Sequence, residues 1–495
     1  MPETARGLLR SMAVIGTAQG ASIVISIIRM KLLALMLGPT GVGLLSIYSS
    51  LQDMSSQVAG LGVNSSAVRE IASTRGDEVT LSRVRCVLMG AHLIQGGLAM
   101  AVIWILREPI SIWLFGDEFR ASEVGLIGVA VFLTLVSLAQ TALLQGLRRI
   151  DDLGRLTVLS ALVASISGLW AVWILRTSGL IWFVLVSPLT SMIIAFYFVR
   201  RLPTLAVKDL PIATIWSIWK PMAKLGLAFM LGGLASTATL LIVRGQIAHD
   251  LGLSEAGQFA AAWSITMTYV GFMFTAMAAD YYPRLSEVIK DRTATIALMN
   301  MQAQFGLAIG GPFLLLLIGS APVLVPLMYS SEFLSAVELL QWQAVGNVFK
   351  IAAWALGLAV VASARSMVFI LLQLSFNVPF LLMLFPTLSY LGVLAAGPAF
   401  TIAYALHFLA TWASVRYLHG FRWQSPTLGL LMLHVGLASG LLILALYHPL
   451  AATVISPVLA LGAGIIGLRI VVAKTGSETR LARVFSRVGW PVGDN

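Results

Sequence analysis

The sequence predicts an all-α polytopic membrane protein of about fourteen transmembrane helices, built as two parallel-repeat six-helix bundles plus two C-terminal helices. Three observations carry that prediction. The 495-residue chain is 58% hydrophobic and only 11% charged, where a soluble domain carries roughly a quarter charged residues. Dissolved in water, such a chain would expose large apolar patches and aggregate. Apolar stretches of about 20 residues, enough to cross the hydrocarbon core, recur along its whole length. Landmarks of the first half also return in the second at a constant offset.

Cutting at charges and at Gly/Pro punctuation places the spans at 11–37, 41–63, 84–106, 124–147, 156–175, 179–199 and 222–245. The later ones lie at 256–280, 298–318, 336–362, 367–388, 391–415, 428–447 and 452–473. Two arginines in Met1–Arg10 precede the first long apolar run. A cleavable signal would have a shorter apolar core, so the first helix is expected to be retained. No connection is long enough for a soluble domain.

Lys and Arg placement orients the chain. With the N-terminus inside, 25 of the 32 basic residues fall in inside segments, and only Arg107, Arg120 and Arg176 fall outside. That asymmetry predicts an inner-membrane protein with both termini cytoplasmic. It also accounts for the net charge of +11 without nucleic acid, which would require the cations on one polar face. The single cysteine, Cys86, excludes an intramolecular disulfide, and no Cys/His cluster suggests a metal or cofactor.

The repeat supplies the domain plan. "LGPTGVG" at 37–43 returns as "LGLSEAG" at 251–257, and "LFGDEF" at 114–119 as "MYSSEF" at 328–333. Arg29 and Arg69 return as Arg244 and Arg284. Each half holds six spans, an even number, so both halves start on the same side, as in transporters that rock about a central site. The expected parts are bundles at 1–200 and 215–418, two extra helices at 425–475, and a cytoplasmic tail at 476–495.

Four basic residues remain inside spans: Arg29, Lys31, Arg244 and Lys350. A charge at mid-span costs about 2.5–3.5 kcal/mol on insertion scales, so such groups mark polar surroundings. Polar stripes accompany them at helical spacing. They comprise Gln19, Ser22, Ser26 and Arg29; Ser46, Ser50, Asp53, Gln57, Gly60 and Asn64; Ser264, Thr268, Gly271 and Thr275; and Gln343, Asn347 and Lys350. A stripe of period 3.6 faces away from lipid, so these faces predict a hydrated, cationic cavity. Simpler roles compete: polar side chains also bind helix to helix, Asp53 is a candidate neutralising partner for Arg29, and Lys31 can snorkel. Arg69 and Arg284 are candidates for a cytoplasmic mouth, or plain positive-inside anchors. His407, on a face with Thr401, Tyr404 and Thr411, fits a packed core histidine better than a cavity wall. There is no catalytic constellation and no Walker sequence, so neither an enzyme nor direct use of ATP is expected.

Several runs carry a resemblance. "RGQIAHDLGLSEAGQFAAAWSI" at 244–265, "YYPRLSE" at 281–287 and "KLLALMLGPTGVGLLSIYSSL" at 31–51 are similar to the signature regions of Wzx-type O-antigen and enterobacterial-common-antigen flippases. These belong to the multidrug/oligosaccharidyl-lipid/polysaccharide exporter superfamily. The resemblance implies alternating access by two six-helix bundles, and an undecaprenyl-pyrophosphate-linked oligosaccharide as cargo. It implies cationic cavity residues for the headgroup, a role that falls on Arg29 and Lys31 in the first helix. Membrane lipids, a polysaccharide polymerase and a chain-length regulator are the partners it suggests. The alternatives are a cation-coupled multidrug exporter, a lipid II flippase, and a membrane glycan polymerase or transferase. An exporter of organic cations wants acidic residues in its cavity, and this chain offers chiefly cations.

Overall fold

The computed structural model describes residues 2–74, 77–202 and 210–474. The expected tail at 476–495, together with Arg75 and Lys208, lies outside the described residues, as do the side chains of Arg6 and Arg10. The described chain is helical: α1 (Pro2–Gly60), α2 (Val63–Ser73), α3 (Glu78–Ile105), α4 (Arg107–Phe115) and α5 (Ala121–Gly146). Then come α6 (Ile150–Leu175), α7 (Gly179–Val199), α8 (Ile212–Leu251), α9 (Leu253–Val288) and α10 (Arg292–Met328). The series ends with α11 (Leu334–Ala362), α12 (Ser366–Leu391), α13 (Ala396–His419), α14 (Ser425–Tyr447) and α15 (Pro449–Lys474).

Eleven continuous helical stretches among the described residues are long and apolar enough to span a bilayer. Three of them, Val14–Gly60, Ile150–Val199 and Ser366–His419, run to 47, 50 and 54 residues. At about 20 residues per crossing, each of the three crosses twice, which brings the total to the expected fourteen. The first is divided at Gly38, whose φ of 62° and ψ of −163° break the helix just before Pro39. A β-carbon disfavours that conformation, and proline withholds the next amide. The sequence gap between 37 and 41 is this kink. Helix α4 was not expected; with nine residues it is too short to cross. The second span also ends earlier than predicted. Leu61 and Gly62 turn left-handed (φ 48° and 63°), and α2 restarts the chain in a new direction.

The repeat is written into the backbone. Gly252, at φ 93°, follows Gly38 by 214 residues and separates α8 from α9 as Gly38 divides α1. Left-handed Arg148 and Arg176 return 216 residues later as Ala364 and Gly392. Asp77 caps α3 by accepting the amides of Val79 (3.1 Å) and Thr80 (3.0 Å), a standard way to satisfy the free first-turn N–H groups. Asp291, 214 residues on, caps α10 through Thr293 (2.9 Å) and Ala294 (3.1 Å). The Thr80 hydroxyl and amide hold the Asp77 carboxyl below its usual range, so that cap is ionised at neutral pH.

Packing divides the chain into two units, Met1–Gly257 with Met328–Ser330, and Gln258–Leu327 with Ser331–Asn495. Helix α8 therefore belongs to the second repeat by sequence and to the first unit by packing. In the first unit Val63, Ala67 and Ile71 of α2 bury against Leu88, Leu143, Leu144 and Phe198. In the second, Tyr281, Met299, Leu356, Val360 and Val415 form a comparable core. There the two extra helices lean on α10 through small residues. Gly311 receives His434, Gly319 receives Ser456, and Gly467 lies against the backbone of Ala308. Close approach at small residues is how helices gain packing energy in lipid.

Candidate functional site

Three of the four residues of the first-helix stripe share one wall. Ser22, Ser26 and Arg29 line a cavity of about 470 Å³ inside the first unit, with Gln52 from beyond the kink. Helices α5, α6 and α7 close it with Thr134, Ser137, Thr141, Thr157, Ser160, Ser187 and Ser191. The Arg29 guanidinium sits 5.3 Å from the Phe183 ring centroid, and its buried Nε has no partner. No carboxylate is among the lining residues. Gln19 is exposed and Lys31 half-buried, and neither is part of this wall.

The second stripe is equally real and serves a different purpose. Arg244 of α8 donates through Nη1 to the Ser46 carbonyl (3.0 Å) and to Ser50 Oγ (2.7 Å). Gln57 Nε2 donates to the Met230 carbonyl (3.1 Å), and Thr237 Oγ1 donates back to Gln57 Oε1 (3.0 Å). Ser46, Ser50 and Gln57 thus form a helix-to-helix seam with α8, the simpler of their two readings. Asp53 stands exposed on the same face, and the charge acting on it is Arg244. The Asp53–Arg29 pairing suggested by depth is replaced by that longer-range one. Asn64, on α2, is half-buried with its Oδ1 unpartnered.

In the second unit Lys350 Nζ lies 2.9 Å from Met267 Sδ and 5.1 Å from the centroid of the Tyr404 ring. Tyr404 is itself stacked on Phe376 at 4.0 Å. A cation over an aromatic face is attracted by the ring quadrupole. None of Arg29, Arg244 and Lys350 forms an ion pair among the described residues. Asn347 is buried and donates to the Gln343 carbonyl (2.7 Å), while Gln343 Oε1 accepts from Thr266 (2.6 Å). Thr268 is exposed, with its hydroxyl on the Ser264 carbonyl. His407 is held by Ser375 Oγ (2.9 Å), as a packed histidine. At the helix ends Arg69 is exposed, and Arg284 pairs with Asp280 at 3.2 Å one turn away.

A protein family described as "Polysaccharide biosynthesis protein" matches residues 8–289, more than half of the chain. The chain belongs to that family. All three sequence runs that suggested a Wzx-type flippase fall within the match. Among curated relatives, the lipid III flippase of Escherichia coli (strain K12) is 24% identical over 393 residues, covering 76% of this chain and 91% of that protein. The lipid III flippase of Shigella flexneri gives the same figures. Among solved structures, the lipid II flippase MurJ in an inward closed conformation matches with a TM-score of 0.71 at 12% identity, over 92% of this chain and 98% of that one. An inward-facing multidrug resistance MATE family transporter of the MOP superfamily matches at 0.66 and 16% identity, over 81% and 94%. The fold is shared by flippases and exporters alike. With many membrane-length apolar helices among its described residues, this member of the polysaccharide biosynthesis family is a multi-pass inner-membrane protein.

Sequence reasoning missed the hydroxyls of α5 to α7. Their signal is the same as that of the first helix: 134, 137 and 141 step by 3 and 4, 157 and 160 by 3, and 187 and 191 by 4. Those helices carry no mid-span charge, so their sequence does not separate these hydroxyls from ones that only brace neighbouring helices.

Proposed function

We propose that this protein moves an undecaprenyl-pyrophosphate-linked oligosaccharide from the cytoplasmic to the periplasmic leaflet by alternating access, for assembly of a cell-surface polysaccharide. One observation carries the reading: an unpaired guanidinium, Arg29, in a hydroxyl-lined cavity at membrane depth, in a chain of a polysaccharide-biosynthesis family. A pyrophosphate cannot cross hydrocarbon unaided, because removing its hydration is prohibitive. A cavity of cations and polar groups replaces that water while the polyprenyl tail stays in lipid. Bundles at 1–200 and 215–418 would rock about it, with both termini cytoplasmic as the Lys and Arg distribution indicates. Lys350, in its aromatic surroundings, would be a further anion contact. A polymerase and a chain-length regulator would use the delivered units. The multidrug-exporter reading is disfavoured by the sign of the site, since an organic cation would meet Arg29 and no carboxylate.

Deleting the gene is expected to accumulate undecaprenyl-linked repeat units on the cytoplasmic leaflet. Complementation with Arg29→Ala is expected to restore normal protein abundance but less than a tenth of wild-type transport. A charge-assisted hydrogen bond is worth about 1.5–3 kcal/mol, which is tenfold or more. Changed dye efflux without lipid accumulation would replace the flippase by the exporter. Loss of the Arg29→Ala protein itself would make Arg29 structural.

A further inference from the structure

We infer that the cavity around Arg29 is a sugar-reading subsite, in which one ring donates its hydroxyls to the Ser/Thr wall while Arg29 holds an adjacent anionic group. The inference rests on the flippase reading above and concerns what that site selects. Its basis is where the hydrogens of four of the nine wall hydroxyls already go. Thr134 donates to the Ala130 carbonyl (2.7 Å), Thr141 to Ser137 (2.8 Å), Thr157 to Leu153 (2.9 Å) and Ser160 to Leu156 (2.5 Å). Such back-bonding satisfies the hydroxyl within its own helix and leaves its oxygen lone pairs to face the cavity. Gln52 behaves alike: its amide N–H donates to Thr134 Oγ1 (2.9 Å), which leaves its carbonyl oxygen as an acceptor.

The wall is therefore rich in acceptors, and Arg29 is its one charged donor. That polarity discriminates among ligands. A metal or organic cation would find acceptors but also a fixed positive charge and no carboxylate. A bare pyrophosphate would take Arg29 and the hydroxyls of Ser22, Ser26, Ser137, Ser187 and Ser191, but would leave the back-bonded oxygens and the Gln52 carbonyl without a donor. A polyol bearing one anionic group satisfies both halves at once, and a volume of about 470 Å³ falls in the range of small-molecule sites. The anionic group has two sources, the pyrophosphate or the carboxylate of an acidic sugar, which share the same chemistry at Arg29.

Binding to the full-length protein in nanodiscs tests this with three probes: undecaprenyl pyrophosphate, the same lipid carrying one neutral N-acetylhexosamine, and the same lipid carrying one hexuronic acid. Wild type is expected to bind the sugar-bearing lipids at least tenfold more tightly than the bare one. Thr141→Val with Thr157→Val, which keeps shape and removes two oxygens, is expected to erase that preference, so that sugar-bearing and bare lipids bind alike. Thr141→Ser with Thr157→Ser should retain it. Arg29→Gln weakens all three probes if it holds the pyrophosphate, and only the hexuronic lipid if it holds the carboxylate. Equal wild-type affinity for bare and sugar-bearing lipids overturns the subsite and leaves the flippase reading standing, as does a valine pair that binds like wild type. Binding of none of the three, with no lipid accumulation in the deletion strain, overturns both.

Discussion

Replacing Gly257 by valine is expected to destabilise the protein by about 3 kcal/mol, the upper end for overpacking a fixed site, and to lower its melting temperature in detergent accordingly. A β-carbon at Gly257 would stand 1.9 Å from the Pro39 carbonyl oxygen, and one at Gly43 would stand 2.0 Å from that of Leu253. The obstacle in both places is backbone, which cannot swing aside as a side chain does. These glycines close the two copies of the repeated motif, 37–43 and 251–257, so the copies pack on each other glycine to glycine. Small residues at such crossings let two backbones approach closely in lipid. Gly43→Val should behave like Gly257→Val, and the pair together should be little worse than either, since both open the same gap. An unchanged melting temperature in either variant would show that the two motifs do not touch in the folded protein.

Much of this architecture is legible in the sequence because lipid imposes a strong rule. Every crossing needs about 20 apolar residues with its backbone bonds made internally, so the spans announce themselves, and Gly38–Pro39 announces the kink. Helix α4 is silent by comparison, since its nine residues open on a charged Arg107–Glu108 pair and resemble a loop. The faces of the helices are legible as well, but their partners are not. Ser22, Ser26 and Arg29 form the same kind of stripe as Ser46, Ser50, Asp53 and Gln57. One opens on a cavity, and the other is sewn to α8. Periodicity says only that a face avoids lipid. What meets it depends on residues nearly 200 positions away, such as Arg244 for Ser46.

The seam makes Arg244 a different residue from its repeat partner Arg29, and mutation should separate them. Arg244→Ala is expected to reduce the amount of folded protein severalfold, whereas Arg29→Ala spares abundance and removes transport. The loss at Arg244 has two parts. Two charge-assisted hydrogen bonds to Ser46 and Ser50 disappear, and Asp53 is left without the cation that acts on it. A lone carboxylate at membrane depth is unfavourable, so the second part depends on Asp53 being ionised. Asp53→Asn alone should be mild. Added to Arg244→Ala, it should recover part of the stability, with a coupling of about 1–2 kcal/mol, in the usual range for residues that share an interaction. Thermal unfolding of the four proteins in one detergent measures that coupling directly. Strict additivity would mean that Arg244 serves α1 through its hydrogen bonds alone, and that the Asp53 carboxylate answers to some other group.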